Sequence, residues 1–356
     1  MSTVRALPAY ALPSLVLLLA AALELATPTH IVATPLFAAA CVAAGVLLPL
    51  RGTVAVVVTA VAVELLIKAW LALPMGPDDW VHALDVPIAG ALGVAAHQLR
   101  SRYGTRLAAV REVAEAAQRA VLPTPAERLG GIRVAAEYRA AQSGSRIGGD
   151  FYAAVDTPHG VRLVVGDVRG KGLGAVGLAA ILLGAFRESA IRDVGLEEVA
   201  LRMDEAAARE AARRGGEDRW EGFATALLVE VSAAEPGRLR LLNCGHASAY
   251  LFGADGAVRE LHSRRPGSPL GLDMGLLDAV APEEVELPFD AVVLLLTDGV
   301  TEARDAQGTF FDPARHLTAT AWGEPAAVLG SVVDAVARWT GGARDDDMAL
   351  LAFRAG

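Results

Sequence analysis

The chain has 356 residues, 53% of them hydrophobic, with 41 acidic against 32 basic side chains and a net charge of −9. That balance excludes a typical nucleic-acid binder, because no basic stripe is available to neutralise a phosphate backbone, and so apolar a composition exceeds what an ordinary soluble chain carries. The two cysteines, Cys41 in an apolar run and Cys244 far downstream, predict no disulfide and suit a reducing cytoplasm.

The apolar excess lies before residue 100, in four runs at about Ala9 to Ala26, His30 to Leu50, Gly52 to Leu73 and Val81 to Leu99. At about 1.5 Å per residue each is long enough to cross a hydrocarbon layer roughly 30 Å thick. The fourth carries Asp85 and Pro87 near its start, so it reads either as a span or as a shallow, re-entrant segment. Arg5, Arg51 and the group Arg100, Arg102 and Arg106 all fall on one side of such a bundle, whereas the loops around 27–29 and 74–80 have no Lys or Arg. Positive residues stay inside, so both termini are expected in the cytoplasm of a multi-pass membrane protein. A cleaved signal peptide is not expected, since further apolar runs follow at once. Glu24, Glu64 and Lys68 are ionisable within the runs; Glu64 and Lys68, one helical turn apart, can pair.

From Arg100 to about Val121 the apolar residues recur at helical spacing, through Leu107, Val110, Val113, Ala117 and Val121. This predicts an amphipathic connecting helix over 100–125, ended by Pro123 and Pro125, which serves either as a tether or as a dimerising coiled coil. Residues 126–356 then alternate short apolar strands with helices. Strands are expected at Arg133 to Arg139, Val161 to Val165, Ala226 to Val231, Arg238 to Asn243, Ala291 to Leu296 and Met348 to Phe353. Helices are expected at Val176 to Arg192, Leu196 to Arg214 and Glu324 to Trp339. The order suggests an α+β sandwich.

Carboxylates gather at the ends of these strands. Asp150 follows Gly148 and Gly149, Asp167 ends an apolar strand before a glycine-rich turn, Asp298 ends another before Gly299, and Asp345, Asp346 and Asp347 precede the last strand. Oxygen donors of this kind suit hard ions such as Mg²⁺ or Mn²⁺, while no Cys/His spacing suggests zinc. A pair of such ions can present a water to a phosphoryl group without a protein nucleophile. Taken singly each motif is weak: Asp-Gly is commonly a turn, and a run of aspartates is commonly a solvated loop.

The order is more specific. GGDFY, GDVRGKG, FATALL, NCGHA, SPLGL, TDGVTEA and DDMALL, running from Gly148 to Leu351, resemble in sequence the motifs of the metal-dependent PPM-type serine/threonine phosphatases. The branch is the bacterial one named for stage II sporulation protein E. The resemblance spans about Gln118 to Arg354 and implies an α-β-β-α sandwich behind the four-helix membrane region. It further implies two divalent ions, Mn²⁺ or Mg²⁺, with Asp167 bridging them and the Val168 carbonyl as a further ligand. Asp150 would reach the first ion, partly through water, and Asp298 and Asp346 the second, with Asp347 beside them. The implied activity is hydrolysis of a phosphoserine or phosphothreonine on a cytoplasmic regulatory protein, an anti-sigma-factor antagonist of the STAS class.

Other positions stay open on the residues alone. Thr225 and Asn243 read as framework, His246 as framework or as an acid for the leaving group, Lys171 and Arg169 as phosphate contacts or solvated charges, and Cys244 as a core residue. Three rivals stand beside the phosphatase: a binding module with vestigial catalysis, a membrane sensor or transporter with an accessory domain, and a cyclic-dinucleotide synthase. The last shares the Gly-Gly-Asp triplet, but Phe151 and Tyr152 stand where such synthases have Glu and Phe.

Overall fold

The computed structural model describes residues 6–26, 34–70, 77–141, 148–192, 194–214, 222–235, 237–272, 280–317, 323–342 and 346–355. Arg5, Asp345 and the loop at 27–29 lie outside them, as do residues 71–76, while for Lys68, Asp78 and Asp79 only the backbone is described. The chain divides into two compact units, Met1–Val110 and Arg111–Gly356.

The first unit is helical: α1 (Ala6–Ala26), α2 (Thr34–Leu47), α3 (Leu50–Trp70) and α4 (Pro77–Val121), the last running on into the second unit. Small and aromatic residues form its interior, among them Ala20, Phe37, Cys41, Ala60 and Val86. Gly45 and Gly93 bring α2 and α4 into backbone contact; a Cβ on Gly45 would lie 2.2 Å from the Gly93 carbonyl oxygen. The large side chains Leu15, Leu18, Leu65 and Leu66 point outward instead. Ala9–Ala26 and Leu50–Ile67 are long and apolar enough to cross a membrane, and α2 is apolar but shorter. Arg100, where the connecting segment was expected to begin, donates through its guanidinium to the carbonyls of Val46 and Leu48 at the end of α2, where a cation meets the negative pole of the helix.

Two sequence expectations change here. The fourth apolar run and the connecting helix are one 45-residue helix with Pro87 inside it, so the re-entrant alternative for that run does not occur. The second run is helical for 14 residues among those described, about 21 Å at the helical rise.

The second unit is a sandwich of two antiparallel sheets with helices on both outer faces. One sheet has the order β1 (Arg128–Leu129), β2 (Ile132–Arg139), β11 (Met348–Ala355), β10 (Val292–Leu296), β7 (Ala249–Phe252), β8 (Val258–Leu261). The other runs β3 (Phe151–Thr157), β4 (Gly160–Val168), β5 (Ala224–Ser232), β6 (Arg238–Cys244), β9 (Glu283–Glu286). Strand periodicity sorts the apolar residues: on β10, Val293 and Leu295 enter the central core while Val292, Leu294 and Leu296 face the opposite way. There they meet Val328, Val332 and Val336 of α9 (Pro325–Trp339). The far face of the β3–β9 sheet is covered by α5 (Leu173–Ala190) and α6 (Leu196–Arg214). α5 is also long and apolar enough for a membrane span, but Leu178, Leu182, Leu183 and Phe186 are fully buried in this core. The α-β-β-α layering matches the sandwich expected from the sequence. Its strands β1, β3, β7, β8 and β9 were not among the expected ones.

Candidate active site

Four chain segments converge at one end of the sandwich. Asp150 directly precedes β3, and Asp167 lies one residue from the end of β4, in register with Thr225 of β5. Asp298 opens a single helical turn, α7 (Asp298–Thr301), so it sits one residue past Thr297 rather than at the tip of β10 itself. Asp346 stands just before β11. Carboxylate oxygens of Asp150, Asp167 and Asp298 all lie within 4.8 Å of one another, in a cleft of about 220 Å³ that Val168, Lys171 and Asp346 also line.

Glycines make this approach possible. A Cβ on Gly149 would lie 2.5 Å from the Val168 carbonyl oxygen, and one on Gly299 would lie 1.8 Å from the Asp347 carbonyl oxygen, so any other residue would push the two loops off the strand ends they touch. The Val168 amide closes the first contact by donating to the Gly149 carbonyl, at 3.3 Å.

The electrostatics follow from the crowding. Burial, then the neighbouring Asp298 charge, push Asp167 up to about 7. Burial and the nearby Asp167 raise Asp150 well above the usual carboxylate range. Asp298 is raised by burial and by Glu302. Three acids that each resist ionisation among the others form a site that a multivalent cation relieves, and an all-oxygen donor set selects a hard one. The residues present therefore fit a divalent ion such as Mg²⁺ or Mn²⁺.

Asp346 is about half exposed, and its carboxylate accepts from Lys171 Nζ at 3.2 Å. Asp347 is not among the residues that line the cleft. It is buried, and its Oδ1 accepts from the Ala141 amide at 2.7 Å. Arg169 lies over the Phe223 ring, 5.1 Å from its centroid, a cation–π contact.

His246 is tied at both ring nitrogens. The Leu296 carbonyl, 3.1 Å away, can only accept, so Nε2 carries the proton and Nδ1 accepts from the Thr225 hydroxyl at 2.7 Å. Burial lowers its pKa to about 4, which leaves the ring neutral and fully engaged, a framework role for His246 and for Thr225. Asn243 completes this frame by bracketing the turn, donating to the His246 carbonyl and accepting from its amide. Burial pushes the Cys244 thiol up to about 12, so it is not a nucleophile.

Two arrangements escaped the sequence reading. The Thr297 hydroxyl donates to Asp150 Oδ2 at 2.7 Å and accepts from the Ala349 amide at 2.9 Å; its one sequence signal is a polar residue closing the all-apolar run 291–296. Gln118, at the end of α4, is buried and donates to the Gly148 carbonyl at 3.4 Å, reaching the loop that carries Asp150.

The family model for stage II sporulation protein E (SpoIIE) matches residues 157–356, more than half of the chain. The chain belongs to the SpoIIE family. Its second unit is accordingly a PP2C/PPM-type domain of the metal-dependent protein serine/threonine phosphatases. The PP2C domain of SiaA from Pseudomonas aeruginosa superposes with a TM-score of 0.55 at 21% identity, covering 72% of this chain and 98% of that one. The phosphatase domain of Bacillus subtilis SpoIIE, with a fragment of its regulatory domain, gives 0.52 at 16% identity, covering 63% and 62%. A Mycobacterium tuberculosis structure containing RsbU and RsbW domains gives 0.48 at 24% identity, covering 66% and 62%. At these identities the first two show a shared fold, and this chain spans about 62% of the length of the Bacillus and Mycobacterium structures. No curated protein matches the chain.

Proposed function

We propose that this SpoIIE-family member is a membrane-anchored phosphatase that removes phosphate from a phosphoserine or phosphothreonine of a cytoplasmic regulatory protein. The observation that carries the reading is the meeting of Asp150, Asp167 and Asp298 within 4.8 Å in a domain of phosphatase fold. Two divalent ions, Mn²⁺ or Mg²⁺, are held by Asp150, Asp167, the Val168 carbonyl, Asp298 and Asp346. Bound there, such ions supply the Lewis acidity that makes water a nucleophile at neutral pH and offsets charge on a phosphoryl group. The chain itself fixes the carboxylates at strand ends, keeps His246 neutral and out of proton transfer, and leaves Lys171 at the mouth of the cleft. Freed from Asp346, Lys171 can meet a substrate phosphate.

The outward-facing leucines of α1 and α3 support anchoring in a bilayer, and the arginine distribution supports cytoplasmic termini. The regulatory partner is an anti-sigma-factor antagonist of the STAS class, an assignment that rests on family resemblance.

The test is phosphate release from a phosphoserine peptide and from a phosphorylated STAS-domain protein by the full chain in lipid nanodiscs, with Mn²⁺ or with chelator. Release that needs metal and vanishes in Asp167→Ala is expected, faster on the STAS protein. Metal-independent release, or full activity in Asp167→Ala, overturns the assignment; equal rates on peptide and protein overturn the choice of partner alone.

A further inference from the structure

Thr297 has no exposed surface, and neither a charge nor a place in the cleft lining. Its hydroxyl nonetheless stands between two groups that have few alternatives. The Ala349 amide donates to Oγ1 at 2.9 Å, so the single hydroxyl proton is free for Asp150 Oδ2 at 2.7 Å. The backbone of Thr297 is itself pinned, its amide donating to the Ala349 carbonyl at 3.1 Å. The donor therefore stands just past β10 and is oriented by β11, the two strands that lead to Asp298 and follow Asp346, and it reaches an acid carried by a loop on the opposite sheet. A hydroxyl donated to a carboxylate favours its ionised form and fixes which oxygen is left for another ligand.

We infer that Thr297 is a positioning residue for Asp150: it occupies Oδ2, turns Oδ1 toward Asp167 and Asp298, and so sets the affinity of the site for a divalent cation. The inference rests on the proposed metal role of Asp150. Removal of the hydroxyl leaves both Asp150 Oδ2 and the Ala349 amide without this partner. Outer-shell partners of metal ligands typically change affinity roughly ten- to a hundredfold when lost.

The experiment is a calorimetric titration of Mn²⁺ into the full chain in nanodiscs, for wild type, Thr297→Val, Thr297→Ala and Thr297→Ser, with Asp150→Asn alongside and circular dichroism to confirm folding. Val keeps the shape without the hydroxyl, Ala leaves room in place of strain, and Ser restores the donor. The expected result is a Kd raised roughly ten- to a hundredfold in Val and Ala and returned close to wild type in Ser. Wild-type affinity in any folded variant lacking the hydroxyl overturns the inference, as does a loss that Ser does not rescue. Failure of both Val and Ala to fold in saturating Mn²⁺ also overturns it, because the hydroxyl then serves the fold. Wild-type affinity in Asp150→Asn is a separate outcome: it removes the metal role of Asp150 itself, and this inference with it.

Discussion

Two polar clusters on the same pair of strands are built on opposite principles. At Arg162 of β4 the facing residue on β5 is Glu230, and the ion pair closes at 2.7 Å with both side chains buried. Arg162 also donates to the Ala190 carbonyl at the end of α5 and to the Val194 carbonyl beyond it, while Glu230 accepts from Arg240 across the next strand at 3.3 Å. Every charge there is answered from within. Five residues along β4, Asp167 faces neutral Thr225 and gathers Asp150 and Asp298 around itself. The first cluster is complete as folded and serves stability; the second concentrates like charge and is completed only by a cation from outside. Buried charge by itself therefore marks neither function nor structure, and the source of the compensating charge tells them apart.

The largest effect should come from breaking the self-sufficient cluster. Arg162→Met leaves Glu230 buried with Arg240 as its one remaining cation among the described residues and should cost about 3–5 kcal/mol, seen in denaturant melts and unaltered by Mn²⁺. His246 lies at the acidic end yet belongs with the self-sufficient groups. An unfolded histidine takes up a proton as pH falls past about 6.5, whereas the folded site refuses it until about 4. Stability from His246 is therefore present above pH 6.5 and lost as pH falls toward 4, by at most about 3 kcal/mol. Because the raised Asp167 pulls the other way, the quantity to measure is the gap between wild type and His246→Gln, which should narrow over that window.

Mn²⁺ at a hundred times its Kd should stabilise the folded chain by about 2.7 kcal/mol, with no such gain in Asp298→Asn. A thermal melt with and without metal checks this, and equal gains in both proteins would place the ion elsewhere. The smallest effect is expected for Lys171→Met. The pair with Asp346 is about half exposed, so stability should change by less than about 1 kcal/mol, while KM for a phosphopeptide should rise if Lys171 meets phosphate.

Much of the sandwich was legible because its signals are local. Leu196–Arg214 is a helix over the residues expected, and the strands at 132–139, 224–232 and 348–355 extend the apolar runs that announced them by one to three residues. β7 and β8 were missed because four-residue strands carry too few alternations to stand out. The four aspartates were legible because each stands where a strand meets a turn, Asp167 and Asp298 at the far ends of β4 and β10, Asp150 and Asp346 just ahead of β3 and β11. Thr297 and Arg162 were not: a threonine just past a strand is ordinary, and nothing near Arg162 in sequence announces Glu230, 68 residues away.

The apolar helices draw the same line. Leu50–Ile67 and Leu173–Ala190 are both long and apolar enough for a bilayer, yet α3 turns Leu65 and Leu66 outward while α5 buries Leu178 and Leu182 against a sheet. Composition and periodicity determined which segments become helices and strands, which ones must leave water, and where acids meet turns, because those properties reside in a few consecutive residues. Only the tertiary structure decided which apolar helix has a protein partner, which carboxylates share one cleft and which hydroxyl reaches Asp150, because such contacts join residues that the chain itself keeps far apart.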